Sequence, residues 1–170
     1  MGEEITDNKN RLANVLGKDI MTSELLTVYE GWSIKRLSEF FVKHEISGAP
    51  VIASDHTLVG VVTITDIVRF DSLPDAEKAK LIIDHVYPEY LGQSINKDTY
   101  SALANHADSN CTINSIMTPE VISIDQKTPL PQIAKAMQSK KIRRIFVTEN
   151  GIIAGVISTG NILEFIANAG

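Results

Sequence analysis

The feature that most constrains this chain is an internal repeat. Ile20-Met21-Thr22-Ser23-Glu24 returns as Ile116-Met117-Thr118-Pro119-Glu120, displaced by 96 positions. Under the same displacement Leu25-Leu26-Thr27-Val28 becomes Val121-Ile122-Ser123-Ile124, and Ile34, Leu37, Ser38 and Phe41 become Leu130, Ile133, Ala134 and Met137. Further on, Ile46-Ser47-Gly48-Ala49-Pro50-Val51 corresponds to Ile142-Arg143-Arg144-Ile145-Phe146-Val147. After the loss of one loop residue, Gly60-Val61-Val62-Thr63-Ile64-Thr65-Asp66-Ile67 matches Gly155-Val156-Ile157-Ser158-Thr159-Gly160-Asn161-Ile162 at a displacement of 95. Self-similarity of this kind means that each copy is one supersecondary unit. A unit of about 50 residues buries too little surface to be comfortable alone, so the copies are expected to pack together through their sheets.

Local patterns give each copy its elements. The spacing i, i+3, i+4, i+7 of the apolar positions puts one stripe on one helix face, predicting amphipathic helices over 34–44 and 129–140. Ser33 is the expected cap of the first, and Thr128 followed by Pro129 the expected start of the second. Ile46 to Val51 and Ile142 to Val147 are β-prone, with turns at Ser54-Asp55-His56 and Glu149-Asn150-Gly151. Each copy therefore reads as short strand, helix, strand, turn, strand, helix. The fold class is α+β: two pseudo-symmetric β-α-β-β-α repeats with a helical insertion between them. The copies are placed at 19–70 and 115–170, behind an N-terminal extension, 1–18, in which Lys9 to Val15 is expected to form a short helix on the opposite repeat.

The connection from Asp71 to Asn114 is too long to be a structureless loop in a compact domain. Pro74 followed by Asp75 to Val86, with Leu81, Ile82 and Val86 apolar, supports a helix, and Thr99 to His106 suggests another. Tyr87, Tyr90 and Leu91 form an apolar cluster that suits a cover, a cleft wall or a subunit contact. His85, His106, Asp108 and Cys111 are metal-ligand types whose spacing fits no short ligand motif; scattered polar residues on helical surfaces are the simpler reading.

Composition narrows the function. Hydrophobic residues make up 44% and charged residues 22% of the chain, and the mean hydropathy is +0.02, as in globular chains with a substantial core. A single cysteine, Cys111, excludes an intramolecular disulfide and fits a reducing, cytoplasmic setting. Met1 to Asn10 carries Glu3, Glu4 and Asp7 and no apolar run, unlike a secretory signal or transit peptide. No stretch of 18 apolar residues suggests a membrane span. A net charge of −5 argues against broad nucleic-acid binding.

The order of elements and the segments Gly60 to Asp66 and Gly155 to Asn161 resemble a tandem pair of cystathionine β-synthase (CBS) type domains, often called a Bateman module, over about 19–70 and 115–168. The resemblance implies a regulatory module whose two units pack pseudo-symmetrically. It also implies clefts between the units that bind AMP, ADP, ATP or S-adenosylmethionine, and pairing of two modules into a flat homodimeric disc. No cofactor is required. The family pattern of glycine, two apolar residues, Ser/Thr and, three residues later, Asp falls on Gly60, Thr63 and Asp66, implying that Asp66 holds the ribose hydroxyls while the Thr63 hydroxyl faces phosphate. The chemistry is suitable: a carboxylate accepts from two adjacent hydroxyls, and a hydroxyl at a helix N-terminus adds a donor to an anion site. The same residues also suit a plain helix start, with Thr65 and Asp66 capping and charging the first turn.

The second copy departs from the pattern, keeping Gly155 and Ser158 but placing Asn161 where Asp is usual. An amide still hydrogen-bonds a ribose without supplying a charge-assisted acceptor. In compensation it carries Arg143 and Arg144, where nucleotide-binding relatives carry a basic pair that reaches the phosphates; a guanidinium suits that bidentate task. A basic edge strand, with Lys140 and Lys141 as solvated helix-end charges, is the plainer alternative. Ser47 and Gly48 occupy the equivalent places in the first copy. The family's geometry makes Ile46, Ser47, Gly48, Ala49 and Pro50, and Ile142 to Ile145, line the adenine of the opposite site, and adds Thr118 to the ligand contacts. The favoured site is the one with Arg143, Arg144, Ser158 and Asn161 facing Ile46 to Pro50; the runner-up carries Thr63 and Asp66.

Function follows as the sensing of an adenosine nucleotide and signalling to a protein target on a separate chain. The competing class is a structural or adaptor dimer with vacant clefts. An enzyme is disfavoured, because the cysteine has no paired histidine context and neither Gly-x-Ser-x-Gly nor a P-loop is present.

Overall fold

The computed structural model describes residues 12–86 and 97–168. Tyr87, Tyr90, Leu91 and the Lys9 to Arg11 part of the expected N-terminal helix lie outside the described residues. The chain forms two compact units. A first-repeat unit comprises Leu26–Asp55 and Val59–Glu120, and a second-repeat unit takes the chain up to Leu25, His56–Leu58 and Val121 onward.

In the first-repeat unit the predicted stripe is realised as helix α2 (Ile34–His44), which follows α1 (Gly17–Ile20) and strand β1 (Val28–Tyr29) in chain order. Ser33 caps α2, its Oγ accepting the Arg36 amide at 3.2 Å. Ile34, Leu37 and Phe41 are buried, and the half-buried Ser38 returns its hydroxyl to the Ile34 carbonyl. Strands β2 (Gly48–Ile52) and β3 (Leu58–Thr63) follow, then α3 (Ile64–Asp71). β1 runs parallel to β2, pairing Val28 with Val51. The fourth strand of this sheet, β4 (Thr118–Pro119), pairs antiparallel with β3 in the register Gly60↔Pro119 and Val61↔Thr118.

The insertion supplies α4 (Asp75–Val86), α5 (Lys97–Ala104), α6 (Ala107–Asn110) and a 3-10 turn at Ile113–Ser115. It joins the core outright: Ile82, Ala107, Cys111 and Ile113 cluster with Val28, Ile34, Leu37, Phe41, Val51, Val62, Ile67 and Phe70.

The second-repeat unit repeats the plan with β5 (Ser123–Asp125), α7 (Leu130–Lys140), β6 (Arg144–Glu149), β7 (Ile152–Ser158) and α8 (Thr159–Asn168). β5 lies parallel to β6, and β6 antiparallel to β7. The N-terminal segment belongs to this unit: Gly17 donates to the Thr128 carbonyl at 2.9 Å and Leu130 to Val15 at 2.8 Å. The expected start of the helix is corrected: Pro129, with extended ψ, is the N-cap in place of Thr128, and it stands at the equivalent of Ser33, the cap of α2. Leu130, Ile133 and Met137 are buried as the stripe predicts, and Glu45 and Lys141, equivalent positions, close α2 and α7 with the same left-handed conformation, at φ 53° and 55°.

Thr22 forms an isolated antiparallel bridge with Val156, its amide donating to the Val156 carbonyl at 2.9 Å and its carbonyl accepting at 3.0 Å. Each unit therefore receives the Met-Thr motif from the start of the other copy. Glycine is required where this segment crosses. A Cβ at Gly60 would lie 2.6 Å from the Met117 sulfur and 3.0 Å from the Thr118 carbonyl. One at Gly155 would lie 2.7 Å from the Met21 sulfur and 2.8 Å from the Thr22 carbonyl.

Candidate functional site

The candidate residues of each copy converge where its last strand turns into its last helix. In the first-repeat unit Thr63 is the N-cap of α3, and Asp66 lies in the first turn. One carboxylate oxygen, Oδ2, accepts both the Thr63 amide and the Thr63 hydroxyl at 2.8 Å. The other, Oδ1, accepts from Arg69 Nη1 at 3.3 Å. Asp66 is 8% exposed, the one buried charged residue among those described; Arg69 is largely solvated, so the pair contributes little. Thr65, the cap suggested by sequence, is exposed inside the first turn, and the cap is Thr63, because the Asp66 side chain folds back three residues to meet its amide.

The preceding strand is tied to the same point. Ile64 donates its amide to the Ser47 carbonyl at 2.9 Å, and Gly48 lies against Thr63, where an added Cβ would meet Thr63 Cγ2 at 3.3 Å. Thr118 is exposed opposite Val61. Ile46 packs against the core from a half-buried position, while Ala49 and Pro50 are buried.

The second-repeat unit reproduces this geometry with different chemistry. The Asn161 side-chain oxygen accepts the Ser158 amide at 2.8 Å and the Ser158 hydroxyl at 2.7 Å, and the Asn161 amide donates back to Ser158 Oγ at 3.2 Å. The Asn161 side-chain nitrogen donates to Thr22 Oγ1 at 3.3 Å. Thr159 donates its amide to the Arg143 carbonyl at 3.1 Å, and Arg144 sits directly opposite Ser158 in the β6–β7 ladder. Arg143, Arg144, Ser158 and Asn161 are thus held together at one end of one sheet. Both arginines are exposed, Ile142 is half-buried and Ile145 is fully buried in the core.

Sequence reasoning missed two partners in these clusters. Thr22 was accessible from the repeat itself, being the equivalent of Thr118. Arg69 was accessible from its spacing of three from Asp66 on a helix.

Among the described residues no three His, Cys, Asp or Glu side chains come together as a metal-ligand group. The His85 ring nitrogen Nδ1 lies 3.1 Å from the Leu81 carbonyl. Cys111 is buried, and burial raises its thiol pKa above the ordinary value, against a smaller lowering by a hydrogen bond with Ser115. No helix of the described residues is long and apolar enough to cross a membrane.

The family model described as "CBS domain" matches residues 17–72 and again residues 113–168, more than half of the chain. This chain belongs to the CBS-domain family. It is similar to the CBS domain-containing protein CBSX1, chloroplastic, of Arabidopsis thaliana, with 28% identity over 127 residues, 74% of this chain and 52% of the relative. A homoserine O-acetyltransferase of Methanococcus vannielii is 24% identical over 156 residues, 91% of this chain and 25% of that protein. The chain therefore spans about half the length of the first relative and a quarter of the second. Among solved structures, CBSX2 in complex with AMP superposes with a TM-score of 0.62 at 23% identity, covering 91% of this chain and 97% of that one. CBSX2 is an Arabidopsis thaliana protein. The α+β architecture of two CBS repeats is thus common to both chains.

Proposed function

We propose that this CBS pair is a regulatory module that binds an adenosine-containing ligand, AMP, ADP, ATP or S-adenosylmethionine, and transmits its occupancy to a separate protein without catalysing a reaction. The observation that carries the reading is the cluster at the end of the β6–β7 ladder. Arg144 faces Ser158 across the strands, and the Arg143 carbonyl holds the first amide of α8, so two guanidinium side chains share one strand end with a polar helix start. Guanidinium groups match phosphate oxygens in charge and fork geometry. The AMP complex of CBSX2, a chain with the same fold, supports an adenosine ligand. Thr63, Asp66 and Thr118 form the corresponding candidate set of the first repeat, beside the Ile46 to Pro50 segment. Binding shifts the target by no more than the ligand's differential affinity for the two states of the module.

We further propose that the protein acts as a homodimer in the cytoplasm. Exposed apolar residues on the last helix of each repeat, Ile64 and Val68 at 52% and 58% and Leu163 and Ile166 at 67% and 52%, support association with a second copy. Calorimetric titration with the four ligands tests the reading: heat saturating below millimolar concentration with at least one is expected, and silence with all four at millimolar concentration removes it.

One observation favours a structural adaptor as the second reading. The hydroxyls of Thr63 and Ser158 both spend their protons on their own helix starts. Under that reading the double variant Arg143→Ala/Arg144→Ala leaves partner binding unchanged; under nucleotide sensing it abolishes the ligand response.

A further inference from the structure

At the three positions that bear on ligand charge the repeats differ in one direction: Ser47 becomes Arg143, Gly48 becomes Arg144 and Asp66 becomes Asn161. The third change alters hydrogen-bond polarity as well as charge. A backbone N–H only donates, so the Ser158 amide at 2.8 Å fixes the oxygen end of the Asn161 side chain against Ser158. The Ser158 hydroxyl occupies the same oxygen at 2.7 Å, which turns the amide nitrogen outward to Thr22. That nitrogen carries two N–H donors, and Thr22 takes one. Asp66 is held by the same two bonds from Thr63, but its second oxygen remains an acceptor, met among the described residues by the solvated Arg69 alone.

We propose that Asn161 is a specificity-determining residue: its locked amide presents a donor and no free acceptor, so the site of the second repeat selects an oxyanion and does not read the paired hydroxyls of a ribose. The inference rests on the proposed nucleotide-binding function and deepens it. A diol offers two protons and needs acceptors to receive them. A ribose hydroxyl oxygen can still accept one N–H bond from the amide, a neutral bond weaker than one to a carboxylate. Arg143 and Arg144 add donors only, and the acceptors left beside them are the neutral hydroxyl oxygens of Ser158 and Thr22, each already taking one bond from Asn161. The complementary group is therefore the phosphate of a nucleotide.

The test compares AMP with 2′,3′-dideoxyadenosine 5′-monophosphate by calorimetry, following the binding that is lost in the Arg143→Ala/Arg144→Ala variant. In the wild-type chain the two ligands are expected to bind within about threefold of each other, the worth of a weak neutral hydrogen bond. In Asn161→Asp, which keeps the acceptor for Ser158 and adds a free one, AMP is expected to be favoured by about tenfold or more, the worth of a charge-assisted bond. A wild-type preference for AMP of about tenfold, or an Asn161→Asp variant with the wild-type ratio, overturns the assignment of Asn161 while leaving nucleotide binding intact. Absence of binding by either ligand overturns the proposed function and this inference together. Thermal unfolding of Asn161→Asp at the wild-type midpoint confirms that the ratio reports on the ligand and not on a damaged helix start.

Discussion

The α3 helix of the first repeat buries Ile67 and Phe70, whereas α8 of the second repeat buries none of its residues, although Ile162 and Phe165 stand at the equivalent positions. The difference does not lie in the repeat pattern. It lies in the insertion, whose Ile82, Ala107, Cys111 and Ile113 join the same cluster as Phe70, while the second core consists of Ile133, Met137, Ile145, Val147 and Ile157. Two copies of one pattern are thus stabilised unequally, and the segment that breaks the repeat is what completes the first of them.

The sharpest challenge to this comparison is a matched pair of truncations. Phe70→Ala is expected to cost about 3–5 kcal/mol, the usual loss for a fully enclosed aromatic, and Phe165→Ala at least about 1 kcal/mol less, since its site is already partly open. Chemical denaturation measures both; equal losses would mean that the insertion does not set the burial of this position. Next in size are the glycines beneath the exchanged segments. Gly155→Ala and Gly60→Ala are each expected to cost about 1–3 kcal/mol. Gly155 is the more sensitive, because its Cβ would press on the Thr22 backbone carbonyl at 2.8 Å, against 3.0 Å to the Thr118 carbonyl at Gly60, while the methionine sulfur nearest to each can move aside. A reversed order of melting temperatures would contradict the packing described for the two crossings.

The helix starts give a smaller contrast. Asp66→Ala leaves the Thr63 amide without its acceptor in a buried setting and is expected to cost about 1–2 kcal/mol; Asn161→Ala, at a more open site, is expected to cost about 1 kcal/mol. Asp66→Asn, which recreates the second copy's start in the first, should lie below both losses in the same unfolding experiment.

Cys111 gives the smallest effect. Its folded thiol titrates above its unfolded value, chiefly because burial disfavours the thiolate. Stability from this group is therefore fully present below the unfolded thiol pKa and is lost as the pH rises through the folded one. Cys111→Ser is expected to remove that alkaline slope, and native Cys111 to react slowly with thiol reagents at neutral pH. Rapid modification of the folded chain would show the insertion to be open where it is described as closed.

Much of this arrangement was legible in the sequence. Ile34, Leu37 and Phe41, and Leu130, Ile133 and Met137, mark the buried faces of α2 and α7 because a helix that must bury one stripe leaves a period of 3.6. Ser33 was legible as a cap for the same local reason. The start of α7 was misplaced by one residue because Thr128 before Pro129 reads locally as a cap followed by a first-turn proline, although the repeat aligns Pro129, the actual cap, with Ser33. The cap of α3 was assigned to Thr65 instead of Thr63, since either residue suits a helix start and only the fold-back of Asp66 decides between them. Within the insertion, Ile82 reads as part of a helix, but its place in one buried cluster with Phe70 and Cys111 is a tertiary outcome that periodicity does not encode. Of the site, the pairing of Arg144 with Ser158 follows from the hairpin register; the contact of Asn161 with Thr22 joins residues 139 positions apart, and in the sequence only the equivalence of Thr22 with Thr118 points to it.

The crossing of the two Met-Thr segments has a consequence for how the chain can be divided. Residues 115–170 expressed alone would lack Thr22, the partner of Val156, and would leave Gly155 facing the gap once filled by Met21. Residues 19–70 alone would lose Thr118 and Met117 in the same way. No single cut in the covalent thread yields two self-sufficient cassettes, because each half carries the clasp that fastens the other.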